Sequence, residues 1–247
     1  MANKIEIREC LVLDELAQCV DLQRQVFTLP EVEISPVRHF VVTKNAGGFT
    51  LGAFAEGELI GFVLSVPAFL RGERAFYSHM TAVRADYQGS GIGAQLKWAQ
   101  RERALKAGVK YIKWTFEPWK ARNAFFNLEK LGAIVSEYEV NFYGIDYGYS
   151  KDAKIGLASD RLFAEWHLDS KRVISLFHGE NPQETAKPVA EIEIPYDWAG
   201  LVKTDPRSAL AEQERIRSEF QSAFSSGLIA RRFIRDSERP RYLLFSQ

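Results

Sequence analysis

The run Val83-Arg84-Ala85-Asp86-Tyr87-Gln88-Gly89-Ser90-Gly91-Ile92-Gly93-Ala94 constrains this chain more than any other stretch. A β-rich segment, residues 75–83, enters it, and a segment with helical spacing, residues 94–107, leaves it. Gly89, Gly91 and Gly93 let the backbone bend tightly and turn several N–H groups toward one point. A helix starting directly behind them adds partial positive charge to those N–H groups. Strand, glycine turn and helix together predict a cradle for a phosphate or pyrophosphate.

The flanking segments give the cradle its setting. Residues 5–8 read as an opening strand and 14–27 as an amphipathic helix with Leu16, Cys19, Val20 and Phe27 on one face. A break between Pro30 and Pro36 leads to a short helix, 36–44. Strands 49–55 and 59–66 flank the turn Glu56-Gly57-Glu58, and a second turn at 71–74 leads to strand 75–83. After the loop come a helix ended by Gly108, a strand at 111–116, a helix at 123–131 ended by Gly132, and a strand at 133–143. Residues 144–158 read as a linker. Beyond it lie a strand at 160–168, a short helix at 170–177, a strand at 189–194, a long helix at 206–225 capped by Asp205, and a hairpin of 228–235 with 241–245. We therefore expect two parts: residues 1–145, organised around the loop, and an α/β extension, 146–247. A degenerate second copy of the first half is one reading of that extension.

Two patterns fit the glycine run. Gly89-x-Gly91-x-x-Ala94 satisfies the dinucleotide fingerprint, and Gln88-x-x-Gly91-x-Gly93 satisfies the loop that holds the pyrophosphate of coenzyme A. Context separates them. Residues 84–88 intervene between strand and first glycine, the preceding strands form an antiparallel meander, and no acidic residue stands about twenty positions on. Coenzyme A is the better reading.

On these residues, 5–143 resemble the GNAT superfamily of N-acetyltransferases. The match lies in Val83-Arg84-x-x-Tyr87-Gln88-Gly89-x-Gly91-Ile92-Gly93 and in Glu129-Lys130-Leu131-Gly132, and the whole chain is similar to a larger subgroup with a C-terminal extension. The resemblance implies an α+β fold (α/β three-layer), with a mixed, mainly antiparallel sheet flanked by helices. It implies acetyl-CoA or another acyl-CoA as co-substrate, with its pyrophosphate on Gln88, Gly89, Ser90, Gly91, Ile92, Gly93 and Ala94. Pantetheine would run between splayed strands 75–83 and 111–116 and meet backbone groups of Ala82 and Val83. Asn123 occupies roughly the place of a coenzyme-contacting asparagine. The implied reaction is transfer of an acetyl or related acyl group to a primary amine of a small molecule or amino acid, by direct attack on the thioester.

That reaction needs a deprotonated amine, a donor for the developing oxyanion and a route for the departing thiolate. His79, four residues before Val83, is the first candidate base, and serotonin N-acetyltransferase-like members carry a histidine at a matching place. Its alternative reading is a hydrogen-bonded histidine on a strand face. Glu117 is the second candidate, with capping or binding of the substrate ammonium as other roles. The tyrosine that often precedes Glu-Lys-Leu-Gly is replaced by Leu128, which leaves Tyr138, Tyr143 or water as the proton source. It also motivates an alternative function, a catalytically weak or inactive coenzyme A-binding module. Trp119 is the aromatic residue expected in a pocket, while Trp114 and Phe116 read as core.

Charge and composition narrow the partners. Lys+Arg and Asp+Glu both number 32, so no global field draws in nucleic acid or an anionic membrane. No apolar run reaches membrane-spanning length and the first residues show no signal region, which predicts a soluble, cytoplasmic protein. Cys10 and Cys19 lack metal-ligand spacing, His39, His167 and His178 read as structural, and no metal is expected. The extension could complete the acceptor pocket, support a homodimer or form the second copy; the residues leave these open.

Overall fold

The computed structural model describes residues 5–27, 29–148 and 155–247. Residues 1–4, Thr28 in the proline-bounded break, and 149–154 in the expected linker lie outside the described residues. The chain forms two compact units, Met1–Lys113 and Trp114–Gln247.

In the first unit the strands are β1 (Ile5–Glu9), β2 (Phe49–Ala55), β3 (Glu58–Leu70), β4 (Glu73–Val83) and the start of β5 (Tyr111–Phe116). They lie in sequence order, antiparallel except for β4 with β5. Helices α1 (Leu13–Val26) and α2 (Val37–Asn45) cover one face, and α3 (Ile92–Lys106) covers the other. The first face buries Leu16, Cys19, Val20 and Leu22 of α1 and Phe40 of α2 against Phe62, Leu64 and Ala82. Each such side chain removed from water contributes about 1.5–3 kcal/mol. Cys10 and Cys19 are buried free thiols here, and their mutual hydrogen bond, then burial, raises the pKa of Cys19.

β3 runs longer than its pattern predicts because Pro67 interrupts the alternation on paper. β2 ends opposite Ser65, so Pro67 sits where β3 has a neighbour on one side only. A strand proline is tolerated there.

In the second unit the strand order is β7 (Arg161–His167), β6 (Ile134–Glu139), β9 (Leu228–Ile234), β10 (Arg241–Ser246) and β8 (Ala190–Glu193). The expected division at 145/146 falls between β6 and β7, which pair directly, Ile134 opposite Glu165 and Glu139 opposite Arg161. The helices are α4 (Ala121–Phe125), α5 (Lys171–Phe177), α6 (Trp198–Thr204) and α7 (Pro206–Ser225). α4 widens into a π-helical turn, Phe126–Lys130, where the Leu131 amide donates to Phe126 at 3.1 Å. β6 stops short of residue 143 because the chain turns at Asn141, with φ at 55°, and the Asn141 amide bonds Asp160 instead of a strand. The order of elements and the mainly antiparallel sheet between helices match the α+β expectation.

Candidate functional site

The glycine run forms an open helix start. Arg84 leads into it by gripping Asp86 through Nε at 2.8 Å and Glu58 through Nη1 at 2.8 Å, and its guanidinium lies over the Tyr87 ring. The Gln88 side chain folds back and donates to the Val83 carbonyl at 3.0 Å, tying the loop to the end of β4. The Gln88 and Ser90 amides donate to Ala85 and Tyr87. Gly89 and Gly91 take φ of 84° and 89°, the left-handed region that other residues occupy only with strain. Gly91 is the N-cap of α3 and no side chain caps that helix.

As a result the amides of Gly89, Gly91, Ile92, Gly93 and Ala94 have no hydrogen-bond partner among the described residues. Gln88 to Gly91 are exposed, so the loop that carries the first of these donors is open to solvent. Unpaired N–H groups at the positive end of a helix dipole are an anion receptor. Open space surrounds Gly89 and Gly91, so their backbone angles rather than crowding call for glycine.

His79 owes its position to a β-bulge. Leu64 pairs with Met80 and Ser65 with Ser78, leaving His79 as the extra residue of β4. The bulge resets the alternation of faces. Met80 and Ala82 pack toward α1 and α2, whereas Ser78 turns to α3. There Ser78 accepts from Lys97 Nζ and Gln100 Nε2, both at 3.0 Å, and Gln100 also donates to Ser65 at 2.8 Å. Burial holds the Lys97 pKa well below its ordinary value.

His79 is thereby left on the α1/α2 face. Its ring stacks on His39 of α2 with centroids 5.2 Å apart, and Nε2 lies 3.4 Å from Ser35 Oγ. The residue as a whole is exposed to solvent, with one ring face covered by His39. Loss of hydration under α2, followed by the charge of His39, lowers its pKa from 6.5 to about 4. The imidazole is therefore neutral throughout the physiological range. His39, read from sequence as an ordinary structural histidine, is its stacking partner and also lines an open groove of about 1010 Å³ with Pro36, Arg38, Val42 and Val66. The spacing from His39 to His79 carries no local signal that could have paired them.

The parallel pairing of β4 with β5 is short. Phe76 faces Ile112 and Tyr77 faces Lys113, and the pairing ends there with Ser78–Val83 still to come. β4 thus continues past its last β5 pair, as a splayed strand must.

In the second unit Glu117 and Asn123 stand at the two ends of consecutive turns joined at Lys120. The Lys120 amide donates to the Glu117 carbonyl and the Asn123 amide to the Lys120 carbonyl. Glu117 Oε2 is 3.9 Å from Lys120 Nζ. Asn123 is exposed and its side-chain amide has no partner among the described residues. Leu128 is fully buried core. Tyr138 donates to Asp160 at 2.7 Å, and burial followed by that carboxylate raises its pKa, which ties it to the interior. Tyr143 is exposed, its Oη 3.5 Å from Thr115 Oγ1 of β5. Trp119 is not a pocket residue but stacks on Trp198 at 4.4 Å inside a cluster with Leu157, Val202 and Ala209. Trp114 and Phe116 are core, as expected. Glu129 holds Arg232 at 3.0 Å and accepts the Phe233 amide, binding the π turn to β9.

Among the described residues no cluster of histidine, cysteine and carboxylate could hold a metal, and no helix is long and apolar enough to cross a membrane.

Comparison with known proteins follows this geometry. Residues 16–133 match the model of the acetyltransferase (GNAT) family. No curated protein sequence matches the chain. Among solved structures, a GNAT-family protein from Desulfovibrio desulfuricans is 14% identical with a TM-score of 0.55, covering 67% of this chain and 99% of its own. The ribosomal-protein-S18-alanine N-acetyltransferase of Escherichia coli is 16% identical with a TM-score of 0.53, covering 68% and 96%. A GNAT-family acetyltransferase from Elizabethkingia anophelis, solved with acetyl-CoA bound, is 16% identical with a TM-score of 0.50, covering 68% and 99%. These likenesses establish the fold.

Proposed function

We propose that this chain, whose residues 16–133 match the model of the acetyltransferase (GNAT) family, moves an acetyl or related acyl group from acyl-CoA to a primary amine, that of a small molecule or amino acid. One observation carries the reading: an uncapped α3 whose first amides, freed by left-handed Gly89 and Gly91, have no partner among the described residues. The bound acetyl-CoA of the Elizabethkingia protein supports acyl-CoA as the ligand.

In this reading the amides of Gly89, Gly91, Ile92, Gly93 and Ala94 hold the pyrophosphate. Gln88 and Ser90 shape the loop through their bonds to Val83, Ala85 and Tyr87. Ala82 and Val83 present backbone groups to pantetheine where β4 has left β5, and Asn123 adds a side-chain amide. The Val83 carbonyl already accepts from Gln88, so it has one lone pair left to offer.

His79 takes the proton that the attacking amine sheds as its N–C bond forms. Its low pKa keeps it ready as a base at every physiological pH but makes it a weak one, so it acts best on an amine already losing its proton in the attack. The amine nitrogen bonds to the thioester carbon, the C–S bond breaks, and the thiolate leaves with water as its proton source. Glu117 holds the incoming ammonium by charge. A thiol-release assay with acetyl-CoA across primary amines tests the reading, and failure to bind coenzyme A at millimolar concentration would sink it.

Leu128 favours a second reading, a coenzyme A-binding module of little or no activity, since no side-chain acid stands at its position. Tight acetyl-CoA binding with no thiol release on any amine, and no change in His79→Ala, is the outcome that selects it.

A further inference from the structure

Arg161, the first residue of β7, is only 9% exposed. An arginine side chain is charged at any accessible pH, and burying a charge is costly unless a counter-charge accompanies it. Other arginines of this unit obey that rule: Arg217 grips Asp160 at 2.9 Å, Arg232 grips Glu129 at 3.0 Å and Arg241 grips Glu191 at 2.8 Å. Arg161 alone among these four pairs with no carboxylate of the described residues. The neighbouring Asp160 side chain is spent on Arg217, Tyr138 and the Asn141 amide. Among the described residues one hydrogen bond serves the Arg161 side chain, from Nη1 to the Asp160 carbonyl at 3.0 Å.

The surroundings of the guanidinium are built. It lies over the ring of Tyr143 at 5.0 Å and that of Tyr147 at 5.9 Å, and the two rings stack on each other at 4.7 Å. Its unbonded N–H groups are not sealed off, in contrast to the Nε of Arg172, which is buried without a hydrogen-bond partner among the described residues. Tyr143 is 41% exposed, so the slot is open on that side, and its hydroxyl meets Thr115 on β5, the strand that delivers Glu117. Ring faces offset part of the burial cost by cation–π attraction and hold the guanidinium plane still. They leave its fork of N–H donors without an anion among the described residues, and that fork matches a carboxylate in bidentate geometry.

We infer that Arg161, held against the stacked rings of Tyr143 and Tyr147, is the receptor for a carboxylate of the substrate, carried by the acceptor amine or by the acyl group. The inference rests on the acyl-transfer reading and specifies what that reaction selects.

The test compares molecules that differ only in the carboxylate. With acetyl-CoA as donor, phenylalanine is set against 2-phenylethylamine and leucine against isoamylamine; with 2-phenylethylamine as acceptor, succinyl-CoA is set against acetyl-CoA. A carboxylate that reaches Arg161 raises kcat/KM by about 10- to 100-fold in one of the two series, the worth of hydrogen bonds to a charged group. The series that responds identifies which molecule bears the carboxylate. Arg161→Gln collapses that ratio toward one, and Arg161→Lys, which keeps the charge and loses the fork, falls between. Equal losses for both members of a pair, or a wild type with no preference in either series, overturn the inference while leaving acyl transfer standing.

If no pair turns over, acyl transfer fails and binding decides. N-acetylphenylalanine and N-succinyl-2-phenylethylamine are compared with N-acetyl-2-phenylethylamine by thermal unfolding. A higher midpoint with either carboxylate in wild type and not in Arg161→Gln upholds the receptor; the same midpoint for all three in both proteins removes it.

Discussion

Two helices, one in each unit, begin in opposite ways. α7 is closed by its own chain: Asp205 accepts the Ser208 amide at 3.1 Å and the Ser208 hydroxyl at 2.6 Å, and Pro206 at the first position has no N–H to satisfy. α3 is left open: its N-cap is a left-handed glycine, no side chain caps it, and no acidic residue stands in its first turn. Both helices carry the same dipole. The difference is what the proposed pyrophosphate site requires, since only the open start has backbone donors left for a ligand.

The largest effect should come from closing the open end by force. Gly91→Val puts a β-branched residue at φ of 89°, where an ordinary side chain loses about 1–2 kcal/mol and a branched one more. The loop must then abandon its geometry. Losing even one or two charge-assisted contacts to the pyrophosphate weakens coenzyme A binding by about 100-fold or more. Calorimetric titration with coenzyme A, with circular dichroism to show that the variant folds, measures this. Wild-type affinity in a folded Gly91→Val protein means the phosphates sit elsewhere.

Next in size is the base upstream of the loop. His79→Ala should lower kcat/KM by about 100-fold if the imidazole takes the proton. With its pKa near 4, no loss of rate between pH 8 and pH 6 should arise from its protonation. Stability carries a signature of its own. The folded state binds the proton less readily than the unfolded one, so this contribution is fully present above pH 6.5 and is lost as pH falls through about 4. Urea midpoints at pH 7 and pH 5 should fall less steeply in His79→Gln than in wild type; equal slopes remove His79 from the acid response.

These two residues show what the sequence could and could not say. The loop was legible because its logic is local: glycines where φ must be positive, and a helix pattern directly after them. The Asp205 cap was legible for the same reason. The face of His79 was not, since strict alternation with Ala82 would place it against α3, and only the extra residue between the Met80 and Ser78 pairs turns it toward His39. Trp119 was misread because a tryptophan after a strand signals exposure or burial equally well until Trp198, from a helix the pattern missed, is found against it. Arg161 carried no signal at all: its distinction is that no carboxylate of the described residues pairs with it, and an absence cannot be read from neighbours in sequence.

The closed helix start supplies the control. Asp205→Ala removes the cap of α7 and should lower the melting temperature by about 2–4 °C, the usual effect of losing a cap in a protein of this size. Coenzyme A affinity should not move. A calorimetric scan and a titration on the same sample check both halves. A fall in affinity would mean that the two helix starts are coupled and that the contrast between them is not one of local chemistry.

The smallest effect tests whether the open end is held by its backbone or by the ion pairs before it. Arg84 bonds Asp86 and Glu58, yet both carboxylates are well exposed, and such pairs contribute little in water. Asp86→Asn leaves Glu58 still gripping the guanidinium, and the loop keeps its two left-handed glycines and the Gln88 bond to Val83. Coenzyme A affinity should therefore change by less than about threefold, and the difference should fade as salt screens the pair. A titration at low and at physiological ionic strength reads it. A loss approaching that of Gly91→Val would place the preorganisation of the loop in its side chains, and the open start of α3 would then owe its shape to Arg84 rather than to glycine.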